Sequence, residues 1–165
     1  NTTIIFIGDN GTPNEVVQTP YLSTTAKGTL YQGGINVPLF ISGHGVTRTG
    51  TDPNLITSTD LFATIAQLAG VGTDQINDSK SFKSLLTENT TIRDFQYAEK
   101  DDGNVNNWTI NNGNFKLITY ANGAQEFYNL NNDAYETSNL LNITLTMEQA
   151  NAKASLETEL STIRN

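Results

Sequence analysis

Residues 6–13 read FIGDNGTP, an apolar run that stops at an Asp and an Asn before turning on Gly11 and Pro13. An Asp carboxylate beside an Asn carbonyl supplies two hard oxygen ligands, a pairing that suits Ca²⁺ or Mg²⁺ better than zinc. Ligands of open α/β sheets bind beyond the carboxyl ends of strands, where loops diverge, and Asp9 and Asn10 stand at such a place. Asp-Asn-Gly is also an ordinary turn sequence, because Asn tolerates φ > 0 and Gly prefers it. Taken alone, the tripeptide leaves both readings open. Lys27, seen by itself, is a solvated loop lysine. His44, the sole histidine, lies in SGHGV and reads as a loop residue. Asp101-Asp102 fall between two short alternating runs, where a polar turn is expected. The chain has no Cys, so it has neither a disulfide framework nor a thiolate metal site.

The elements that must position these residues are visible in the patterning. TIIFI, 3–7, is apolar and β-branched without alternation, which predicts a strand covered on both faces as in a parallel α/β sheet. Residues 8–34 are rich in Gly, Thr and Pro and read as a long loop with one helical turn. Loops of that length inside compact domains are uncommon and usually functional. INVPLFIS, 35–42, reads as a second strand, with Pro38 placing it at an edge or a bulge. Ser58-Thr59-Asp60 ahead of LFATIAQLAG predicts a helix with Leu61, Phe62, Ile65, Ala66, Leu68 and Ala69 on one face and Gly70 at its C-terminal cap. DSKSFKSLL, 78–86, reads as a short further helix. From Arg93 the texture changes to short alternating runs separated by Asn and Gly, an antiparallel meander. Residues 146–163 fit a closing helix with Met147, Ala150, Ala154, Leu156 and Leu160 inward. The change of texture divides the chain into 1–90, an α/β part, and 91–165, a small α+β subdomain.

Composition narrows the function classes. At 165 residues with 36% hydrophobic content there is material for one real core and an appendage. A net charge of -8 with nine Lys and Arg excludes a nucleic-acid binder, because neutralising phosphates needs a clustered basic surface. No stretch approaches the roughly 18 consecutive apolar residues that a membrane span requires.

The successive motifs IIFIGDNG, AKGTLYQGGINVPLFISG, STDLFATIAQLAGV, DSKSFKSLL, NNGNFKLITY and EFYNLNNDAYETSNLL resemble, in order and over almost the whole chain, the C-terminal motifs of the type I sulfatases of the alkaline-phosphatase-like superfamily. The resemblance implies an α/β fold: a partial alkaline-phosphatase-like mixed sheet with helices, plus a small C-terminal antiparallel sheet packed on a helix. It implies that Asp9 and Asn10 bind the single Ca²⁺, with Mg²⁺ an alternative, and that Lys27 of the family's K-G-T-x-Y-E-G-G motif contacts the sulfate group in catalysis. Two positions depart from that motif: its usual Glu is Gln32, and the Arg often found two residues after the second Gly is Asn36. Asn10 also discriminates, since phosphatases, phosphodiesterases and phosphonate hydrolases of the superfamily tend to carry His there, a ligand for zinc or manganese.

The family's nucleophile is a formylglycine made from the Cys or Ser of a C/S-x-P-S-R motif, and none of the four prolines here lies in a matching context. The resemblance therefore implies the C-terminal portion of a longer sulfuric ester hydrolase, inactive by itself, with formylglycine and a second pair of metal ligands contributed from elsewhere. The expected substrate is a sulfated small molecule or glycan, and the expected location is periplasmic or extracellular. A non-catalytic module on a degenerate sulfatase fold, or a phosphoesterase of the same superfamily, are the alternatives. Without neighbours TIIFI exposes an apolar face and an unpaired edge, so the isolated chain is expected to associate with itself or with the missing N-terminal portion.

Overall fold

The computed structural model describes residues 1–72, 77–101, 103 and 105–164. In chain order the elements are β1 (Thr3–Ile7), α1 (Gln32–Ile35), β2 (Leu39–Gly43), α2 (Asp60–Leu68), β3 (Gln96–Asp101), β4 (Asn106–Asn111), β5 (Phe115–Thr119), β6 (Gln125–Asn129) and α3 (Met147–Arg164). Short 3-10 turns lie at Asn14–Val16, Ser23–Thr25, Lys83–Leu86 and Leu140–Asn142. The chain forms two compact units: Asn1–Phe6 with Phe40–Gln96, and Ile7–Leu39 with Tyr97–Asn165. The long loop that sequence patterning groups with the α/β part belongs to the unit of the antiparallel sheet.

β1 and β2 form a two-stranded sheet. Backbone bonds from His44 to Thr2 and from Gly8 to Pro38 bracket it, so the strands run antiparallel. Thr3, Ile5 and Ile7 are half-buried while Ile4 and Phe6 are exposed. The expected cover on both faces, and the parallel partner, are not supplied by the described residues. The strand read at 35–42 is shorter than its apolar run. Gly34 and Ile35 both donate to the Tyr31 carbonyl, closing the α1 turn, and β2 begins only after Pro38.

In the first unit α2 buries Asp60, Ala63 and Thr64, not the stripe that its apolar residues suggest; Phe62 and Ile65 are exposed. Polar anchoring sets this orientation. Asp60 accepts from the Thr57 and Lys80 amides at 2.8 and 2.7 Å, and the Thr64 hydroxyl accepts from the Phe82 amide at 2.9 Å. Arg93 grips the same carboxylate in a fork, Nε to Oδ2 at 2.8 Å and a second nitrogen to Oδ1 at 2.5 Å. Those bonds consume the amides of Lys80 and Phe82, so the helix expected over 78–86 shrinks to the Lys83–Leu86 turn. Gly70 takes φ +76° just beyond α2, as its place in the sequence predicts.

The second unit is built on a four-stranded sheet in the order β3-β4-β5-β6, with β4–β5 and β5–β6 antiparallel. Every residue of β5 is buried, which requires cover on both faces. Side chains alternate along a strand, so Phe115 and Leu117 share a face with Ile110 and Phe127, and Lys116 and Ile118 share the other with Tyr128. α3 covers the first face: it packs on β4 and β5, Gln125 bonds Glu157, and Arg164 lies 3.8 Å over the Trp108 ring. Leu30 and Tyr31 from the long loop cover the second.

The inward stripe of α3 differs from the expected one. Leu156 and Leu160 are buried, but Ala150 and Ala154 are exposed and Met147 is 82% exposed. At 100° per residue Met147 stands about 180° from Leu156, so the two cannot share a face. The true stripe runs through Gln149, Ala152, Lys153, Leu156, Glu157 and Leu160, where amphipathic side chains lend their stems.

Candidate active-site loop

Asp9, Asn10 and Lys27 all lie in the second unit, on segments brought together backbone against backbone. Gly8 donates to Pro38 at 3.0 Å as β1 ends, and the chain then turns through Asp9 and Asn10. Gly11 donates to the Gly34 carbonyl at 3.0 Å, and Lys27 donates to the Thr12 carbonyl at 3.0 Å. The approach is so close that side chains are excluded. A Cβ on Gly11 would stand 2.1 Å from the Gly33 oxygen, and one on Gly34 would stand 2.3 Å from the Thr29 oxygen. The glycines of GDNG and QGG thus allow the segment that carries the Asp-Asn pair to lie against the loop that carries Lys27.

Asp9 and Lys27 are exposed and Asn10 is half-buried. Among the described residues none of the three side chains makes a hydrogen bond or ion pair. No group of three or more His, Asp or Glu able to hold a metal occurs among the described residues. Two hard oxygens are a suitable donor set for Ca²⁺ but fall short of the six to eight it takes. His44 is exposed, and its amide donates to the Thr2 carbonyl at 2.9 Å. Asp101 caps the Gly103 amide at 2.6 Å, the polar turn expected there, while Asp102 lies outside the described residues.

A second set of polar residues, not singled out by sequence patterning, holds this loop from beneath. Tyr31 donates to Glu126 Oε2 at 2.6 Å and meets the Tyr120 hydroxyl at 3.1 Å, and Tyr128 donates to the same Glu126 oxygen at 2.8 Å. Burial, then the bond to Glu126, raise the Tyr31 and Tyr128 phenols, which keeps both as donors. One residue on, the Gln32 amide donates to Glu136 Oε2 at 2.5 Å. Glu136 Oε1 stands 2.6 Å from Lys116 Nζ, an ion pair without hydrogen-bond alignment whose two side chains are 0% and 1% exposed. Burial pushes Lys116 down and Glu136 up, against their mutual attraction. The signal for this pair was a lysine inside the apolar run NFKLITY: a cation in a strand covered on both faces must find a buried partner.

The fold aligns with that of a Bacteroides thetaiotaomicron VPI-5482 protein described as a sulfatase, over 97% of this chain and 35% of that one, at a TM-score of 0.79 and 18% identity. It aligns equally well, at 0.79 over 98% of this chain and 34% of the other with 20% identity, with a protein solved in complex with its substrate D-glucosamine-2-N,6-O-disulfate. The architecture is therefore the alkaline-phosphatase-like one, of which this chain holds a part. Residues 1–71 match the sulfatase family model, and a sulfatase of Formosa agariphila is 32% identical over 86% of this chain and 29% of its own length. These matches support a relationship to the type I sulfatases, and the chain spans about a third of the length of the relatives it matches.

Proposed function

We propose that this chain is part of a sulfuric ester hydrolase and furnishes one side of its sulfate site. Asp9 and Asn10 would hold Ca²⁺, or Mg²⁺, through a carboxylate and a carbonyl oxygen, with the remaining ligands from other segments of the protein. Bound there, the ion supplies charge stabilisation to the sulfate oxygens. Lys27 presents a compact ammonium, which suits a tetrahedral oxyanion without the fork of an Arg. Its charge opposes the negative charge that develops as the ester bond breaks. The formylglycine nucleophile would come from a segment outside this chain, which alone is inactive.

The observation that carries this reading is the glycine-packed junction, in which Gly11 meets Gly34 and Thr12 meets Lys27 backbone to backbone. Asp9, Asn10 and Lys27 stand on adjoining turns, and among the described residues their side chains have no partner. The substrate is a sulfated small molecule or glycan, consistent with the disulfated glucosamine bound by one relative of like fold. On the family resemblance alone, the protein is exported to the periplasm or outside the cell. The test is turnover of a sulfate ester by the complete gene product. We expect Asp9→Ala and Lys27→Ala each to lose about 10²- to 10³-fold in kcat; wild-type turnover in both overturns the assignment.

A further inference from the structure

Lys27 sits on the loop between Tyr21 and Gln32, where its amide donates to the Thr12 carbonyl. Both flanks are gripped by adjacent residues of one distant turn. Tyr135 packs edge-on against Tyr21, ring centroids 4.9 Å apart at 86°, and Glu136 accepts from the Gln32 amide at 2.5 Å. Gln32 opens α1, so its amide is an orphan donor of a helix N-terminus, and Tyr31 before it supplies no side-chain cap. The cap comes instead from a carboxylate 104 residues away, a charge suited to that end of a helix.

The turn that delivers the carboxylate is itself held in shape. Asp133 accepts from the Thr137 amide and hydroxyl, each at 2.9 Å, and from the Ser138 amide at 2.8 Å. Glu136 takes φ +57°, a conformation that is strained for a non-glycine residue and persists only where its surroundings over-determine it. Lys116, fixed in the fully buried β5, anchors its other oxygen. A buried carboxylate with one oxygen on a fully buried strand and the other on the first amide of α1 is arranged to hold that end of the loop in place. We infer that Tyr135 and Glu136, locked by Lys116, form a positioning clamp for the Lys27 loop of the sulfate site. Glu136 and Lys116 are positioning residues that act through Lys27; this role rests on the functional reading above.

The clamp is tested in the complete protein with two double variants that both remove the buried charges together, so that neither leaves an unpaired ion. Lys116→Met with Glu136→Gln keeps an oxygen for the Gln32 amide; Lys116→Met with Glu136→Leu does not. We expect the Leu pair to lower kcat/KM about 10- to 100-fold, as a misplacement of roughly 1 Å does, and the Gln pair to recover most of it. In a Lys27→Ala background the Leu pair should cost nothing further, because the two act on one element. Equal losses in the Gln and Leu pairs, an undiminished loss in the Lys27→Ala background, or no loss at all overturn the clamp while leaving a working sulfatase. If the Leu pair does not fold, amide exchange of the wild type and the Gln pair decides. Slow exchange at Gln32 in both supports the clamp and fast exchange in the wild type overturns it. A complete protein without sulfatase activity would instead remove the functional reading and the clamp's catalytic role with it.

Discussion

At the scale of single residues, the site depends on what is absent at Gly11. Its missing side chain allows Gly11 itself to lie against Gly33 and Gly34, and a methyl group there would meet backbone oxygen at 2.1 Å. Backbone cannot yield as a flexible side chain does. We expect Gly11→Ala to destabilise the loop by about 1–3 kcal/mol, the usual cost of overpacking, and to abolish most turnover of the complete enzyme, read by thermal unfolding and by kcat/KM. An unchanged kcat/KM would show that the junction does not set the geometry of the site. Asp9, Asn10 and Lys27 stood out in the sequence as candidates because each lies in a local motif that needs no distant partner to be noticed. Glu136 was not, because its importance resides in a contact with Gln32 that no local pattern encodes. Lys116 stood between these cases: its presence in an apolar run signalled burial, but not with whom.

At the scale of elements, local signals located the helices while tertiary bonds set their faces. The existence of α2, its end at Gly70 and the length of α3 followed from caps and periodicity. The inward face of α2 did not, since polar anchoring by Asp60 and Thr64 outweighed the apolar stripe. Asp60 also makes this element sensitive to acid. Burial raises its pKa, but the fork from Arg93, the Thr57 and Lys80 amides and the Arg93 charge outweigh that, and the net shift is downward from 3.8. A folded-state pKa below the unfolded one means that the stabilisation is complete above about pH 4 and is lost as pH falls through the folded value. We expect wild-type stability to drop more steeply than that of Asp60→Asn between pH 4 and lower values. At neutral pH Asp60→Asn should be less stable by about 3 kcal/mol, because it leaves the half-buried Arg93 without its anionic partner. Parallel acid profiles for the two would show that folding does not lower the pKa of this carboxylate.

At the scale of the whole molecule, the exposed face of the β1–β2 sheet is the feature that most needs a neighbour. Ile4, Phe6 and Phe40 are 59%, 62% and 65% exposed, and the Phe6 and Phe40 rings lie 6.2 Å apart. A run without polar alternation is written for cover on both faces, and this chain accounts for about a third of the length of its relatives. The sequence therefore announced a face that the described residues do not bury. Burying one such side chain fully is worth about 1.5–3 kcal/mol, so the isolated chain has a strong incentive to pair this face with a second copy. We expect sedimentation of the 165-residue chain to show self-association, and Phe6→Ser with Phe40→Ser to reduce it sharply. In the complete protein the same face should be occupied by the chain's own remaining segments, so the paired substitution should there lower thermal stability and leave the oligomeric state unchanged. A monomeric wild-type fragment would contradict the first expectation, and an oligomeric state of the complete protein that changes with the substitutions would mean that the face serves assembly instead.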